Sequence, residues 1–355
     1  CCYTKRGEWR ISRLNTEKGK MKELDIPYTY VSYLQVSDGY AVFIGGSAQE
    51  ASSVVRLDLE TCKTEVLRRS SGFFVDPEYL SKPKPMEFPS EWGLAAHAIY
   101  YRPRNKDYTI PLETRPPLLV FVHGGPTSAT STTFSWAIQF WTSRGFAVVD
   151  VNYGGSSGYG REYRQRLNGQ WGIVDVDDCV NAAKYLVKSG EVDGEKLAIR
   201  GGSAGGYTTI NTLTFRDIFK AGASYYGISD LEVFVKDTHK FESRYLDTLI
   251  GSHPEMEDLY YDRSAINFIE KLHTPIIFFQ GLDDKIVPPN QAELIVEALR
   301  KKGIPVAYLP FEGEQHGFRQ AKNIRRSLEA ELYFYSRIFG FELSETIEPI
   351  KIETL

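Results

Sequence analysis

The chain has 355 residues, enough for two domains, and its 42% hydrophobic and 25% charged content is that of an ordinary globular protein with a large core. A formal net charge of −4 argues against a nucleic-acid surface, and no apolar run is long enough to span a bilayer, so neither nucleic acid nor membrane is an expected partner. The four cysteines (Cys1, Cys2, Cys62 and Cys179) suggest no disulfide framework and no Asn-x-Ser/Thr acceptor occurs, which together point to a reducing, cytoplasmic setting.

Residues 1–80 read as β-structure. Trp9-Arg10-Ile11-Ser12-Arg13-Leu14 alternates, and Tyr28–Val36, Tyr40–Ile44, Ser53–Leu59 and Thr64–Leu67 are further short strands. Ser37-Asp38-Gly39 and Gly45-Gly46-Ser47 are the turns between them. Strands of this spacing predict blades of a β-propeller, with Val54–Leu59 and the strand after Glu60-Thr61-Cys62-Lys63 as an outer hairpin. A blade has four strands, so this segment makes about one and a half, too few to close a ring. The chain also opens on Cys1 rather than Met, and no signal peptide is visible. The β-part is therefore expected to continue earlier blades of a longer chain or to be covered by another chain. A homo-oligomer, or association with the missing blades, is the expected assembly.

Ser81-Lys82-Pro83-Lys84-Pro85 reads as a linker, and from it to residue 345 strands and helices alternate, the mark of a mostly parallel sheet with helices on both faces. Leu118–His123, Phe146–Asn152, Lys196–Arg200, Ala221–Tyr225, Ile276–Gln280 and Val306–Phe311 are predicted strands. Val174–Lys188, Asn290–Lys302 and Asn323–Ile338 are predicted helices, with Asn290 as an N-cap. Residues 346–355 are a C-terminal tail.

Four stretches in this second domain carry chemistry. Phe121-Val122-His123-Gly124-Gly125-Pro126 ends a buried strand in a Gly-rich loop, where a backbone N–H can complete an oxyanion hole; Gly125 is the first candidate and Gly124 the second. Gly201-Gly202-Ser203-Ala204-Gly205-Gly206-Tyr207 lies between a strand and a helix. In that context Gly-x-Ser-x-Gly is a nucleophile elbow: the serine sits at a sharp turn whose neighbours two away must lack side chains. The helix N-terminus then faces Ser203, and Ala204 N–H is the other oxyanion donor. After the next strands come Gly281-Leu282-Asp283-Asp284 and Glu312-Gly313-Glu314-Gln315-His316. Serine, acid and histidine in this order, each after a strand, form the triad of an α/β-hydrolase, with His316 as base and Asp283 or Asp284 orienting it. Read singly, each motif is also an ordinary turn or surface residue; it is the set that points to acyl transfer.

Other patterns are negative. Gly154-Gly155-Ser156-Ser157-Gly158-Tyr159-Gly160 is Gly-rich but does not match Gly-x-Gly-x-x-Gly, so it reads as a loop. The six histidines show no metal-ligand spacing, and the chemistry needs no metal or cofactor.

Taken together, His123-Gly124-Gly125-Pro126, Gly201–Tyr207, Gly281-x-x-Asp284-x-x-Val287-Pro288 and Glu312–Phe318 resemble the prolyl oligopeptidase family of serine peptidases, most closely its acylaminoacyl-peptidase and aminopeptidase-like members. Trp171–Asp178 resembles that family's segment before the helix leading to the elbow. The resemblance covers about residues 85–340. It implies an α/β-hydrolase fold preceded by propeller blades, with Asp284 rather than Asp283 as the acid. It also implies a propeller that caps the site and admits only short peptides. One departure stands out. Several family members carry an arginine two residues after the acid, gripping the substrate carbonyl upstream of the cleaved residue; here that position is Ile286. Tyr207, Tyr226 and Glu242 are the candidate substrate contacts. Glu242, within Lys240-Phe241-Glu242-Ser243-Arg244-Tyr245, is the candidate for binding a substrate α-amino group, against the competing reading of an ion-paired helix face. The expected function is a serine peptidase acting near the N-terminus of short peptides, as an aminopeptidase, acylaminoacyl-peptidase or dipeptidyl-peptidase. The alternatives are a carboxylesterase on the same fold and a non-catalytic binding protein that keeps it.

Overall fold

The structure, a computed structural model, describes residues 1–237 and 244–355. Its N-terminal part holds two antiparallel sheets. Strands β1 (Cys2–Lys5), β2 (Glu8–Asn15) and β3 (Lys20–Glu23) form one; β4 (Tyr30–Ser37), β5 (Tyr40–Gly46), β6 (Ser53–Asp58) and β7 (Thr64–Arg69) form a four-stranded meander, the make-up of one blade. The β4–β5 turn is dictated locally. Ser37 pairs with Tyr40, and the two residues between, Asp38 and Gly39, both have positive φ (49° and 81°). That is the two-residue loop whose twist suits a hairpin, and Asp-Gly adopts it readily. Alternate residues Val31, Ala41, Phe43, Val55 and Leu57 form a small core with Ile11 and Leu24. The outer strands β3 and β7 are almost wholly exposed.

The second part is organised around one eight-stranded sheet: β8 (Lys84–Pro89), β9 (Ala95–Tyr101), β10 (Leu118–Val122), β11 (Ala147–Asn152), β12 (Leu197–Gly202), β13 (Ala221–Tyr225), β14 (Ile276–Gly281) and β15 (Val306–Phe311). Their order is β15-β14-β13-β12-β10-β11-β9-β8, parallel from β11 to β15, with β9 and β8 antiparallel. This is an α/β-hydrolase sheet, and the six strands expected from the sequence are its parallel members. Strands β8 and β9 were not expected. Strand β8 contains part of the stretch read as a linker, and its Pro85 and Pro89 are tolerated because β8 is the sheet's edge, where a missing N–H breaks no ladder.

The parallel strands are apolar at nearly every position because both faces are covered. Leu118, Val120 and Val122 face a core built with α3 (Val174–Lys188), α4 (Ala204–Phe215) and α8 (Asn290–Lys302). Leu119, Val148, Ile277 and Phe279 face α1 (Trp136–Thr142) and α9 (Ala321–Phe339) on the other side. Short helices α2 (Arg161–Gln165), α5 (Leu231–Asp237), α6 (Tyr245–Leu249) and α7 (Glu257–Asp262) decorate the connections. The N-cap of α8 is Pro289 rather than Asn290: Pro289 already has helical φ and ψ, so the helix takes Asn290 into its first turn, where the Oδ1 atom is buried without a partner. Residues after 345 do not trail free. Ile347 is buried, and Glu353 pairs with Val306 through both backbone bonds, covering the β15 edge. Among the described residues no helix is long and apolar enough to cross a membrane.

Candidate active site

Strand β12 ends in Gly201-Gly202 and the chain then turns sharply into α4. Ser203 takes φ 57° and ψ −122°, a conformation that L-residues adopt only under constraint. Tyr225 O accepts its N–H at 2.9 Å, and Ser203 O in turn accepts Tyr207 N–H at 3.0 Å to start the helix. The flanking glycines are required by space: a Cβ on Gly201 would stand 2.3 Å from Gly205 O, and one on Gly205 2.2 Å from Val122 O. Ala204, the first helical residue, is buried directly behind the serine.

The candidate acid and base arrive on neighbouring strands. Asp284 follows β14 and His316 follows β15, and Asp284 Oδ2 lies 2.8 Å from His316 Nδ1. The other carboxylate oxygen, Oδ1, accepts the N–H groups of Ile286 and Val287 at 2.9 and 3.0 Å, so the side chain is held at both ends. Asp284 is buried, whereas Asp283 is exposed and its backbone N–H goes to Glu314 O. Facing a carboxylate, Nδ1 carries the proton and Nε2 is left to accept one. The two loops meet across Gly281, where a Cβ would fall 2.5 Å from Gln315 O. Tyr226 joins them to the serine. Its ring lies 4.8 Å from that of His316, and its Cε2 atom is 3.0 Å from where a Cβ on Gly202 would be. Elbow, acid and histidine thus gather at the carboxyl ends of β12 to β15, where ligands bind in open α/β sheets.

Glu314 shapes the histidine loop, and nothing among its polar neighbours in the sequence marks it. It is 1% exposed and accepts Arg319 N–H, Gln320 N–H and Asn323 Nδ2–H at 2.8 to 2.9 Å. Burial acts to raise its carboxyl, but these donors outweigh it and hold it below the usual glutamate range. A comparable buried acid, Asp175, lies in the Trp171–Asp178 segment. It accepts Gly172 N–H and the Thr208 hydroxyl of α4, tying that segment to the elbow helix, and burial pushes it up to about 6.

Opposite the serine is the β10 loop. A Cβ on Gly124 would stand 2.9 Å from Gly202 O and 3.4 Å from Ser203 Cβ, so this loop presses on the elbow. Gly125 is exposed and has φ 61°. His123 stacks on Tyr153, with ring centroids 4.4 Å apart, and desolvation lowers its imidazole to about 4, so it is neutral.

The substrate candidates fare differently. Tyr226 is half-buried beside His316. Tyr207 is corrected: it is fully buried against Trp171 and its hydroxyl donates to Arg263 O at 3.0 Å, because the fourth residue of α4 points into the core. Glu242 lies outside the described residues. A groove of about 820 Å³, lined by Arg104, Lys106, Arg144, Phe341 and Glu345 among others, contains none of the candidate site residues.

The model of the prolyl oligopeptidase family matches residues 132–342. Among solved structures, a puromycin-hydrolysing peptidase from Mycobacterium tuberculosis is 45% identical with a TM-score of 0.95, over 98% of this chain and 53% of that one. A puromycin hydrolase is 40% identical with a TM-score of 0.93, again over 98% and 53%. Among curated proteins, dipeptidyl aminopeptidase BIII of Pseudoxanthomonas mexicana is 33% identical over 216 residues, 58% of this chain and 31% of that protein. The chain therefore spans about half the length of these solved relatives and less than a third of this curated one.

Proposed function

The chain belongs to the prolyl oligopeptidase family of serine peptidases, and on that premise we propose that it hydrolyses the amide bond after the N-terminal residue of small substrates through an acyl-enzyme on Ser203. The observation that carries this reading is the Asp284–His316 hydrogen bond at the sheet end that also holds the strained Ser203. Ser203 Oγ attacks the amide carbonyl while its proton passes to His316 Nε2. Asp284 keeps the imidazole in that tautomer and offsets its positive charge. The tetrahedral oxyanion accepts Ala204 N–H at the helix N-terminus and a second N–H from the β10 loop, Gly125 or Gly124. His316 then protonates the leaving amine, and water repeats the sequence to free the acid.

Two observations favour a single aminoacyl group over a longer acyl part. Position 286 is an isoleucine that packs on the core rather than an arginine free to hold an upstream carbonyl. The solved relatives of 40–45% identity are puromycin-hydrolysing enzymes, and puromycin is an aminoacyl amide with a free α-amino group. We therefore include puromycin among the substrates. The test is fluorophosphonate labelling of Ser203, with kcat/KM measured on aminoacyl-anilides, puromycin and short-chain esters. Labelling together with amide turnover is expected. An unlabelled chain would leave only a binding role, and turnover of esters alone would make it an esterase.

A further inference from the structure

The Gly-rich stretch from Gly154 to Gly160, which follows β11 and has no part in the chemistry above, lies along the loop that carries Gly124 and Gly125. Ser156 Oγ is 2.8 Å from His123 Nε2. The Ser157 hydroxyl donates to Thr127 O at 2.6 Å, and Ser157 N–H to Ser128 O at 2.8 Å. The Asn152 side chain holds Thr130 at both its N–H and its carbonyl, at 2.8 and 3.2 Å. The β10 loop is thus clipped at residues 123, 127, 128 and 130, and the two candidate oxyanion glycines lie between the first two clips.

The protons in this network can be assigned. His123 Nδ1 is 3.1 Å from Gly124 O, and a carbonyl can only accept, so Nδ1 carries the hydrogen. Tyr153 Oη also lies 3.5 Å from Nδ1, at the limit of a hydrogen bond, and does not displace that contact. The neutral ring then has a bare Nε2, and Ser156 must be its donor. The Gly124 carbonyl and the Gly125 N–H belong to one planar trans peptide unit and point in opposite directions. Whatever fixes the first fixes the second. We propose that Ser156, acting through His123, is a positioning residue that aims the Gly125 N–H at the oxyanion formed on Ser203; this rests on the acyl-enzyme reading above. Ser156 is fully buried, so its hydroxyl is not diverted to solvent, and its own N–H is bonded to Tyr153 O at 2.9 Å. Stacking on Tyr153 at an interplanar angle of 14° stops the His123 ring from turning. Because desolvation keeps the imidazole neutral down to about pH 4, the relay holds one tautomer across the working range. From its outer side the same stretch is braced by the β1–β2 turn, where Arg6 N–H donates to Gly158 O at 3.3 Å.

The experiment compares Ser156→Ala and Ser156→Thr with the parent chain, using kcat per active site titrated with a fluorophosphonate. In Ser156→Ala, kcat per titrated site should fall at least about 10-fold with KM within about 2-fold, since a misaimed oxyanion donor acts on the transition state alone. Affinity for a peptide aldehyde, whose hemiacetal oxygen occupies the oxyanion position, should fall by the same factor. Ser156→Thr, which keeps the hydroxyl, should recover most of both. An Ala variant with unchanged kcat per titrated site would overturn the proposal, as would one whose loss is a smaller titratable fraction. A parent that labels and turns over confines either failure to Ser156; a parent that does not label brings down the acyl-enzyme reading and this proposal with it. A further measurement needs no substitution: ¹⁵N shifts should show His123 protonated at Nδ1 and neutral at pH 6, and protonation at Nε2 would overturn the assignment.

Discussion

Ser203, the proposed nucleophile, sits in a strained backbone conformation. Its positive φ and the two absent Cβ atoms at Gly201 and Gly205 hold the hydroxyl at the tip of the elbow, so Ser203→Ala should leave the fold intact and remove turnover by several orders of magnitude. Fluorophosphonate labelling that persists in this variant would place the nucleophile elsewhere. The two aspartates separate as sharply. Asp284→Asn keeps the shape but favours the wrong His316 tautomer, and kcat should drop on the order of 10⁴-fold. Asp283→Asn, at an exposed position, should change it little, and equal losses in both would contradict the geometry. Asp150 gives a prediction about stability instead. It is buried in β11, accepts the Thr130 hydroxyl, and desolvation raises it to about 7. The folded state keeps this proton after the unfolded chain, near 3.8, has released it. The contribution is full below about pH 4 and is lost as pH rises towards 7, with a slope approaching 1.4 kcal/mol per pH unit for one proton. Asp150→Asn should flatten the fall in unfolding free energy across that window; a denaturation series giving the parent's slope in the variant would show that Asp150 is ionised in the fold.

Elements differ in how far the sequence betrayed them, and the reason is physical. The parallel strands are buried on both faces and read as unbroken apolar runs, so all six were legible, and α3 and α8 fall on their predicted bounds. Strands β8 and β9 escaped because they are the antiparallel pair added beside the parallel strands, with β8 at the edge and β9 covered on both sides. The first is broken by prolines, and the Ala-rich second lacks the alternation of a half-exposed strand. The candidate site was legible where it takes a short motif, as at Gly201–Gly205, whereas Asp284 was set apart from Asp283 only by the family resemblance. It was illegible where a residue works through others: Glu314 holds the histidine loop with a carboxylate that three donors keep ionised, and nothing in Gly313-Glu314-Gln315 marks it. Tyr207 was misread because adjacency to the serine in sequence is not adjacency to the cleft; on a helix entering the core the fourth residue is inside. The histidine loop carries its own prediction. Glu314→Gln keeps the volume but turns an ionised acceptor of three bonds into a neutral amide that also brings donors. It should lower stability and cut kcat/KM together by loosening His316, with the stability loss shrinking as pH falls below the usual glutamate range. A Glu314→Gln chain as stable at pH 7 as its parent would mean that the loop is held by other contacts.

At the scale of the whole molecule, the second part covers the β15 edge of its sheet, and the β-part leaves its edges open. The C-terminal residues cover the β15 edge through Val306 and Glu353. In contrast, β3 and β7 end their sheets with exposed side chains, and large apolar side chains of the β-part, Tyr33, Val36, Met21, Phe73 and Phe74, stand 55% to 86% exposed. Unpaired strand edges beside apolar surface invite another chain. We therefore expect the 355-residue unit to self-associate, or to bind β-strands that complete its blades. The active site has its own stake in this, because the β1–β2 turn touches the Gly-rich stretch behind the oxyanion loop at Gly158. Assayed by itself, the 355-residue unit has no closed ring of blades over the cleft, so it should cleave longer peptides that a closed propeller would exclude, at rates set by the aminoacyl group rather than by chain length. Light scattering at several concentrations checks the association. A series from an aminoacyl-anilide to peptides of increasing length checks the openness. A gain in kcat/KM of about 100-fold per added upstream residue, some 2.7 kcal/mol, would mean that an upstream clamp exists despite Ile286. A concentration-independent monomer that rejects long peptides would mean that another element gates the site, and that the two N-terminal sheets are not the remnant of a cap.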